Sequence, residues 1–295
     1  MTEQKTRKLA EEREQYINKV QKLYYSSTSI KGTLAEKYCY QYRRINAKLP
    51  DNFRFKARCW HEELKTYKPA LIVPGSDQHG NLQSVNRIYL NNDGSKLNEE
   101  FKDEQGNLQT ATAKRNYGPT LGATIKVNEN SKADLTMVTE GVENALSIKQ
   151  VVKDVNIISS FGVGQLKNVT FAPATKTIIL CADNDGMVTN TKSAVLDALQ
   201  KWQKQGYQVK IAMPFDNDLS KKFDFNDLLN KQGEQAINKC LSKAIDVGDL
   251  SSFSNKNTAL SQDFIKIQNQ KQFNSKKFAE KDILVTSKER DQQLL

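Results

Sequence analysis

Three acidic stretches in this 295-residue chain have the residue types and order of a site for charge-driven chemistry. They are Thr139-Glu140-Gly141-Val142-Glu143-Asn144, Ala182-Asp183-Asn184-Asp185-Gly186, and Phe223-Asp224-Phe225-Asn226-Asp227. An apolar run suited to a strand precedes each: residues 135–139, 177–182 and, further upstream, 209–213. In a sheet of parallel strands the C-terminal ends converge on one edge, where ligands bind. That edge would gather Glu140, Asp183 and Asp185, although Glu140 and Asp183 lie 43 residues apart in sequence. Asp224 or Asp227 would join from the last turn. Carboxylates this close repel one another and need a counter-charge. A hard divalent cation with oxygen ligands, Mg2+ or Mn2+, supplies it. Such an ion bridges to substrate phosphates, which points to phosphoryl transfer. Glu143 falls in the helix after Gly141 and is expected at the rim of the site, so Glu143→Gln should matter less than Asp183→Asn.

Each stretch alone has a plainer reading. Glu-Gly after a strand is commonly a turn, Asp-x-Asp-Gly a solvated turn, and Asp-Phe-Asn-Asp a helix start with acids at the positive end of the dipole. The signal is the three together, each at a strand exit. Two rivals for residues 183–186 fit less well. A calcium-binding EF-hand loop needs Gly at its sixth position and Glu at its twelfth, and Val188 and Ala194 stand there. A haloacid-dehalogenase-type phosphatase needs Thr after Asp-x-Asp-Gly, where Met187 stands, and leaves the Glu140 stretch unexplained.

The elements that must hold these acids alternate. Strands are expected at 135–139, 155–158, 177–182 and 209–213, and helices at 142–152, 192–205 and from 226. This rhythm is that of a mainly parallel sheet with helices on its faces. The N-terminal part differs. Residues 5–25 suit a helix. Thr33 with Glu36 three residues on has the form of a capping box for a second one. Residues 69–73 and 82–90 flank the turn Asp77–Asn81 as a hairpin. Residues 91–114 have the composition of a long polar loop. The expected division is an N-terminal helix (1–28), a smaller basic α+β region (29–130), an α/β domain (131–245) and a polar, flexible tail with some helix (246–295).

Composition narrows the field. No stretch approaches 18 uninterrupted apolar residues, so a membrane span is not expected. The polar start gives no secretory signal, and cytoplasm is the default compartment. The four cysteines lie far apart without a Cys-x-x-Cys pair, against a disulfide framework or a four-cysteine zinc site. Cys59 and His61 lack partners at metal-ligand spacing and are expected to pack or to lie at the surface. The net charge is +10, of which residues 1–130 carry +7. A basic region attracts polyanions such as nucleic acid.

These residues resemble the Toprim-domain primases of the phage, plasmid and conjugative-transfer type. The resemblance rests on Glu140-Gly-Val-Glu-Asn-Ala-Leu-Ser147, Asp183-x-Asp185 and Asp224-Phe-Asn-Asp-Leu-Leu229. Looser parallels lie upstream: Ile30–Tyr38, Leu49-Pro50-Asp51, Phe53-Arg54-Phe55, Pro69-Ala70-Leu71, and Gly80 to Leu90 with Asp93-Gly94. Together they cover about residues 20–235. The resemblance implies a Toprim fold and Mg2+- or Mn2+-dependent nucleotidyl transfer that makes primers on single-stranded DNA from nucleoside triphosphates. Glu140 would act in acid–base chemistry or metal binding. Asp183 and Asp185 would hold the metal, and Asp224 or Asp227 would complete it. Arg87, Lys114 and Arg115 would contact phosphates, and Tyr89 and Tyr117 would stack on bases or pack in the core. The sequence contains no zinc ribbon, Walker-type phosphate loop or histidine cluster. A helicase or relaxase on separate chains is therefore the expected company. Two alternatives stay open: a non-catalytic nucleic-acid-binding module or remnant of a larger transfer protein, and a Toprim nuclease.

Overall fold

The computed structural model describes residues 3–185, 191–216, 221–250 and 262–267. The N-terminal elements are α1 (Glu3–Tyr25), β1 (Thr28–Ser29), α2 (Leu34–Lys37, running into a π-helical turn at Tyr38–Tyr42), β2 (Arg54–His61), β3 (Thr66–Ser76), β4 (Leu82–Tyr89), β5 (Glu100–Lys102), β6 (Leu108–Thr110) and β7 (Lys114–Tyr117). They are followed by β8 (Ile125–Asn128), β9 (Leu135–Thr139), α3 (Val142–Val151), β10 (Asn156–Ser159), β11 (Thr177–Cys181), α4 (Lys192–Lys204), β12 (Gln208–Ala212), α5 (Phe225–Gln232), α6 (Glu234–Ser242), β13 (Ile245–Asp246) and α7 (Val247–Leu250). A last helical segment covers residues 262–267. Among the described residues no helix is long and apolar enough to cross a membrane.

Two sheets carry the fold. The first is antiparallel, in the order β1-β2-β3-β4-β7. The second has the order β13-β12-β11-β9-β10-β8, with its four central strands parallel and its two edges antiparallel. The fold is thus α/β with a mainly parallel sheet flanked by helices, preceded by an α+β region.

Period-2 alternation explains how the halves meet. On β3 and β4, Ala70, Ile72, Val85 and Tyr89 pack with Val20 and Tyr24 of α1. Their neighbours Leu71, Val73, Ile88 and Leu90 point the other way. They share one core with Ile125 of β8, Met137 of β9 and Val142, Ala145 and Leu146 of α3. The four residues Ala70–Val73 are all buried because both faces of their strand are covered. A second core on the far face of the parallel sheet centres on Trp202 of α4.

Four expectations need correcting. The boundary at residue 130 falls too late, because β8 pairs with β10 and belongs to the second sheet. The stretch 91–114 is not a bare loop: β5 and β6 form a hairpin within it, and its last residue opens β7. In the tail, expected to be mobile with some helix, residues 262–267 are helical as expected but docked, with Phe264 and Ile267 buried in the Trp202 core. Thr33 caps α2, but without the reciprocal bond of a capping box, because Glu36 turns to Gly32 and the Thr33 N–H donates to the Ile30 carbonyl. The Thr33 hydroxyl accepts from the Ala35 N–H (3.2 Å), and the Glu36 carboxylate accepts from the Gly32 N–H (2.8 Å).

Of the two roles left open for His61, packing is the one observed. Its ring stands 4.5 Å from Tyr89 between centroids, Nδ1 accepts from the Leu64 N–H (3.3 Å), and Nε2 lies 3.2 Å from the Thr112 carbonyl. This suits a neutral ring with its proton on Nε2. Burial lowers the His61 pKa against the opposing pull of the Thr112 carbonyl and Glu63. The folded state therefore favours the neutral ring. The associated stability is fully present above the unfolded-state pKa and is lost as pH falls below about 6.5. Urea unfolding across this range should show stability declining toward acid, and His61→Gln should flatten that part of the decline.

Candidate active site

Glu140 is the residue after β9, and Asp183 stands two residues after the end of β11. The two strands are parallel neighbours in the register Thr139↔Cys181, so both acids leave the same sheet edge. Gly141 has an extended backbone and turns the chain directly into α3. The Asp183 backbone amide favours the ionised Glu140 carboxyl, against burial and Asp185. Asn184 pairs through both backbone groups with Phe223, at 2.9 and 2.8 Å, which brings Asp224 beside Asp183. Asp224 opens α5 in a capping box. Its Oδ1 accepts from the Asp227 N–H (2.8 Å), and Asp227 Oδ2 accepts from the Asp224 N–H (3.2 Å). The structure thus places Asp224 with the cluster and engages Asp227 in capping α5. Asp185 takes a hydrogen bond from the Thr191 hydroxyl (2.7 Å) and lies 3.7 Å from the Lys222 ammonium.

These carboxylates are costly to ionise together. Burial, then repulsion from Asp185, pushes Glu140 up to about 7. Burial, then Glu140, Asp224 and Asp185, pushes Asp183 well above the usual range against the pull of Lys114. Burial also raises Asp224. Among the described residues no three His, Cys, Asp or Glu side chains are closed around a common point in the manner of a finished metal site. The donor set is nonetheless all oxygen, anionic and short of positive charge, which is the chemistry a hard divalent cation fits.

A basic wall faces the acids across a cavity of about 250 Å³, lined by Lys114, Asn86 and Asn116 on one side, Glu140 and Asp183 on the other, and Phe161. β3 passes so near that a Cβ on Gly75 would lie 2.3 Å from the Phe161 ring. The wall is organised by Glu143. Its carboxylate is only 6% exposed; it lies 2.7 Å from Lys114 Nζ and 3.9 Å from Arg43 Nη2, and takes the Tyr38 hydroxyl at 2.8 Å. Arg43 Nε donates to the Tyr38 oxygen (2.8 Å). Burial raises the Glu143 carboxyl, but Lys114 and Arg43 outweigh burial and hold it down at about 2. Glu143 is therefore not at the rim; it is a buried anion that joins the two halves. An amide relay runs beside it: Asn144 Nδ2 donates to Asp183 Oδ1 (2.7 Å), Asn144 Oδ1 accepts from the Asn226 N–H (3.0 Å), and Asn226 Nδ2 donates to the Arg43 carbonyl (2.8 Å). Lys96 stands near the wall, where burial and then Lys114 lower its pKa.

The three basic candidates separate. Lys114 faces the acids. Arg87 pairs with Glu62 (3.0 Å), and Arg115 with Glu62 and Glu63 (3.2 and 2.7 Å). Arg87 and Arg115 are cross-strand partners on the α1 face of the sheet, opposite to that of Lys114. Tyr89 is buried in that face, and Tyr117 packs against Tyr16 and beneath Arg87. Tyr38, Arg43, Lys96, Asn144 and Asn226 were not foreseen. Asn226 sat in view within the Asp224–Leu229 motif and Tyr38 at the end of the Ile30–Tyr38 stretch, whereas Arg43 ends a π-helical turn that no periodicity marks.

A Toprim domain family matches residues 135–235. The chain carries a Toprim domain. A domain of unknown function, DUF7146, matches residues 14–127. No curated protein matches in sequence. Among solved structures, the chain is similar to a DnaG primase catalytic domain bound to single-stranded DNA (14% identity, 81% of each chain, TM-score 0.52). It is likewise similar to a DNA primase domain from Pseudomonas aeruginosa (15% identity, 81% of each chain, TM-score 0.51). At these identities the likeness is one of fold: the Toprim domain and the region before it together have the architecture of a primase catalytic domain.

Two acids of this pocket should respond in opposite ways when neutralised. In metal-free protein Asp183→Asn relieves repulsion among buried carboxylates and should raise the thermal midpoint. Glu143→Gln strips Lys114 and Arg43 of their shared partner and should lower stability by about 3 kcal/mol. Calorimetry on the two variants checks both signs.

Proposed function

We propose that this chain is a divalent-metal-dependent nucleotidyltransferase that makes primers on single-stranded DNA. The observation that carries the reading is the opposition, across one small cavity, of the half-buried Glu140 and Asp183 acids, with Asp185 beside them, and Lys114. A metal–triphosphate has the same two-sided polarity. Asp183 and Asp185 would hold Mg2+ or Mn2+, with Asp224 at their side; the ion would supply charge neutralisation for the triphosphate. Glu140, at about 7, is matched to accept the proton of an attacking 3′-hydroxyl at neutral pH. Lys114 is held by Glu143 at the height of the pocket, where it can meet phosphate oxygens. Asn144 fixes the Asp183 carboxylate from behind.

The template would lie on the basic N-terminal half. Residues 31–68 carry a net charge of +6. A groove of about 770 Å³ there is lined by Lys37, Tyr40, Phe55 and Tyr67. Beside it the exposed Trp60 and Tyr67 rings stand 5.2 Å apart, with the Arg58 guanidinium 4.8 Å above Tyr67. Aromatic faces beside unspent cations suit a single strand, whose bases stack while its phosphates are neutralised. The wording of residues 140–147 and 224–229 supports a place in plasmid, phage or conjugative-element replication, in the cytoplasm, with a helicase or relaxase supplied by other chains.

The decisive experiment incubates the protein with single-stranded DNA, Mg2+ or Mn2+ and labelled nucleoside triphosphates. Primers are expected. Strand cleavage would make it a nuclease, and binding without either product a non-catalytic module. Asp183→Asn should reduce primer synthesis about a hundredfold or more, and Lys114→Ala should raise the nucleotide KM about tenfold. Separately, log Kd for single-stranded DNA should rise linearly with log salt concentration, with a slope of about 0.7 per phosphate contacted. Tyr67→Ala should weaken binding by about 1–3 kcal/mol at every salt concentration. A flat salt dependence would remove the basic groove from the reading.

A further inference from the structure

Two amide side chains of the cavity wall take no part in its opposition of charges. Asn86 of β4 and Asn116 of β7 stand directly opposite each other across the strand pair. Lys114 and Asn116 share one face of β7, so Asn116 lines the cavity two residues, about 7 Å, along the strand from the lysine. The two amides are linked in series. Asn86 Nδ2 donates to Asn116 Oδ1 (2.7 Å), and Asn116 Nδ2 donates to the Phe161 carbonyl (3.0 Å). The direction of the series is forced. A backbone carbonyl only accepts, so Asn116 must turn Nδ2 to Phe161 and Oδ1 to Asn86, and Asn86 must answer with its own Nδ2. Asn86 is left with Oδ1, which accepts no hydrogen bond among the described residues, and with the second N–H of its amide. The far end of the series is firm, because the Phe161 ring sits where a Cβ on Gly75 would stand.

An acceptor and a donor on one oriented amide complement a hydroxyl, which itself donates and accepts. The cavity, at about 250 Å³, is smaller than the roughly 300–1,000 Å³ of sites that enclose a whole drug-sized ligand. A nucleotide whose phosphates meet Lys114 would fill it with phosphate and sugar and leave the base outside. The sugar is the part that carries hydroxyls, and it is joined directly to the phosphates. We propose that Asn86, oriented by Asn116 and the Phe161 carbonyl, reads a ribose hydroxyl of the bound nucleoside triphosphate and so selects nucleotides that carry it. The inference rests on the nucleotide reading of the cavity. It assigns the sugar contact to the segment matched by the domain of unknown function, and its orientation to the Toprim loop that follows β10.

The test is equilibrium binding to the full-length protein with Mg2+ and no template, so that nothing turns over. The probes are ATP, 2′-deoxy-ATP, 3′-deoxy-ATP and inorganic tripolyphosphate. Wild-type protein should bind ATP about five- to tenfold more tightly than the analogue that lacks the hydroxyl being read, and that analogue identifies the hydroxyl. Asn86→Ala should weaken ATP by the same factor and leave that analogue and tripolyphosphate unchanged. Asn116→Ala releases the Asn86 amide and should also weaken ATP, with the double variant no weaker than Asn86→Ala alone, because both act through one series. Lys114→Ala should weaken all four probes. Equal losses of ATP and tripolyphosphate in Asn86→Ala would mean that the amide only props the wall. Equal losses of ATP and both deoxy analogues would place the contact away from the sugar. Either result, or additive losses in the double variant, overturns the proposal. Wild-type protein that binds ATP and both analogues alike overturns it without any variant and leaves the nucleotide reading standing. Wild-type protein that binds neither ATP nor tripolyphosphate removes the nucleotide reading, and the sugar contact with it.

Discussion

The Glu143 carboxylate is the point on which the two halves of the molecule are assembled. It is supplied by α3 of the Toprim domain, and the side chains that keep it ionised come from outside that domain: Lys114 from β7, Tyr38 from the π-helical turn after α2 and Arg43 from the residue that ends that turn. A buried anion left without such partners is among the more expensive defects a protein can carry. Its presence therefore fixes how β7 and the π-helical turn must sit against α3. The position of Lys114 opposite Glu140 and Asp183 follows from that constraint. The same contact that assembles the fold sets the polarity of the cavity.

The acidic edge has the opposite character. Glu140, Asp183 and Asp224 are held together by backbone geometry: the parallel register of β9 and β11, the Asn184–Phe223 bridge and the Asp224 capping box. Their charges oppose this arrangement. Repulsion is tolerated there because rigid strands and a helix start impose it, and the tension is what makes the edge receptive to a cation. One pocket thus contains a carboxylate satisfied within the protein and a group of carboxylates left to be satisfied from without.

Much of this was legible in the sequence, and the reasons are local. The strand–acid–helix rhythm of residues 135–235 is written in consecutive residues, so β9, α3, β11, α4 and β12 could be placed within a residue or two. The gathering of Glu140 with Asp183 follows from topology alone. Asp227 could not be told from Asp224 because a capping box uses both, and only three-dimensional placement shows which one also meets Asp183. Arg87 and Arg115 were indistinguishable from Lys114 as basic residues. The alternation of β7 already separates Lys114 from Arg115, but only once 114–117 is known to be a strand. Glu143 was misplaced at the rim because its partners lie 29 and 100 residues upstream. β8 and the docked residues 262–267 are short and depend on surfaces built elsewhere in the chain, and no periodicity of their own announces them.

The shared core beneath β3, β4, β8 and α3 bears on how such a protein can change over generations. Its apolar side chains come alternately from the region before the Toprim domain and from the domain itself. No cut between them leaves either side with a covered face: severing the chain near residue 130 would uncover Leu71, Val73 and Ile88 on one piece and Met137, Val142 and Ala145 on the other. Recombination at such a junction would bring together faces that had never adjusted to each other, and methyl-scale mismatches in a close-packed interior are enough to lose a fold of marginal stability. The two matched segments therefore limit which substitutions each other can accept, although sequence comparison names them separately.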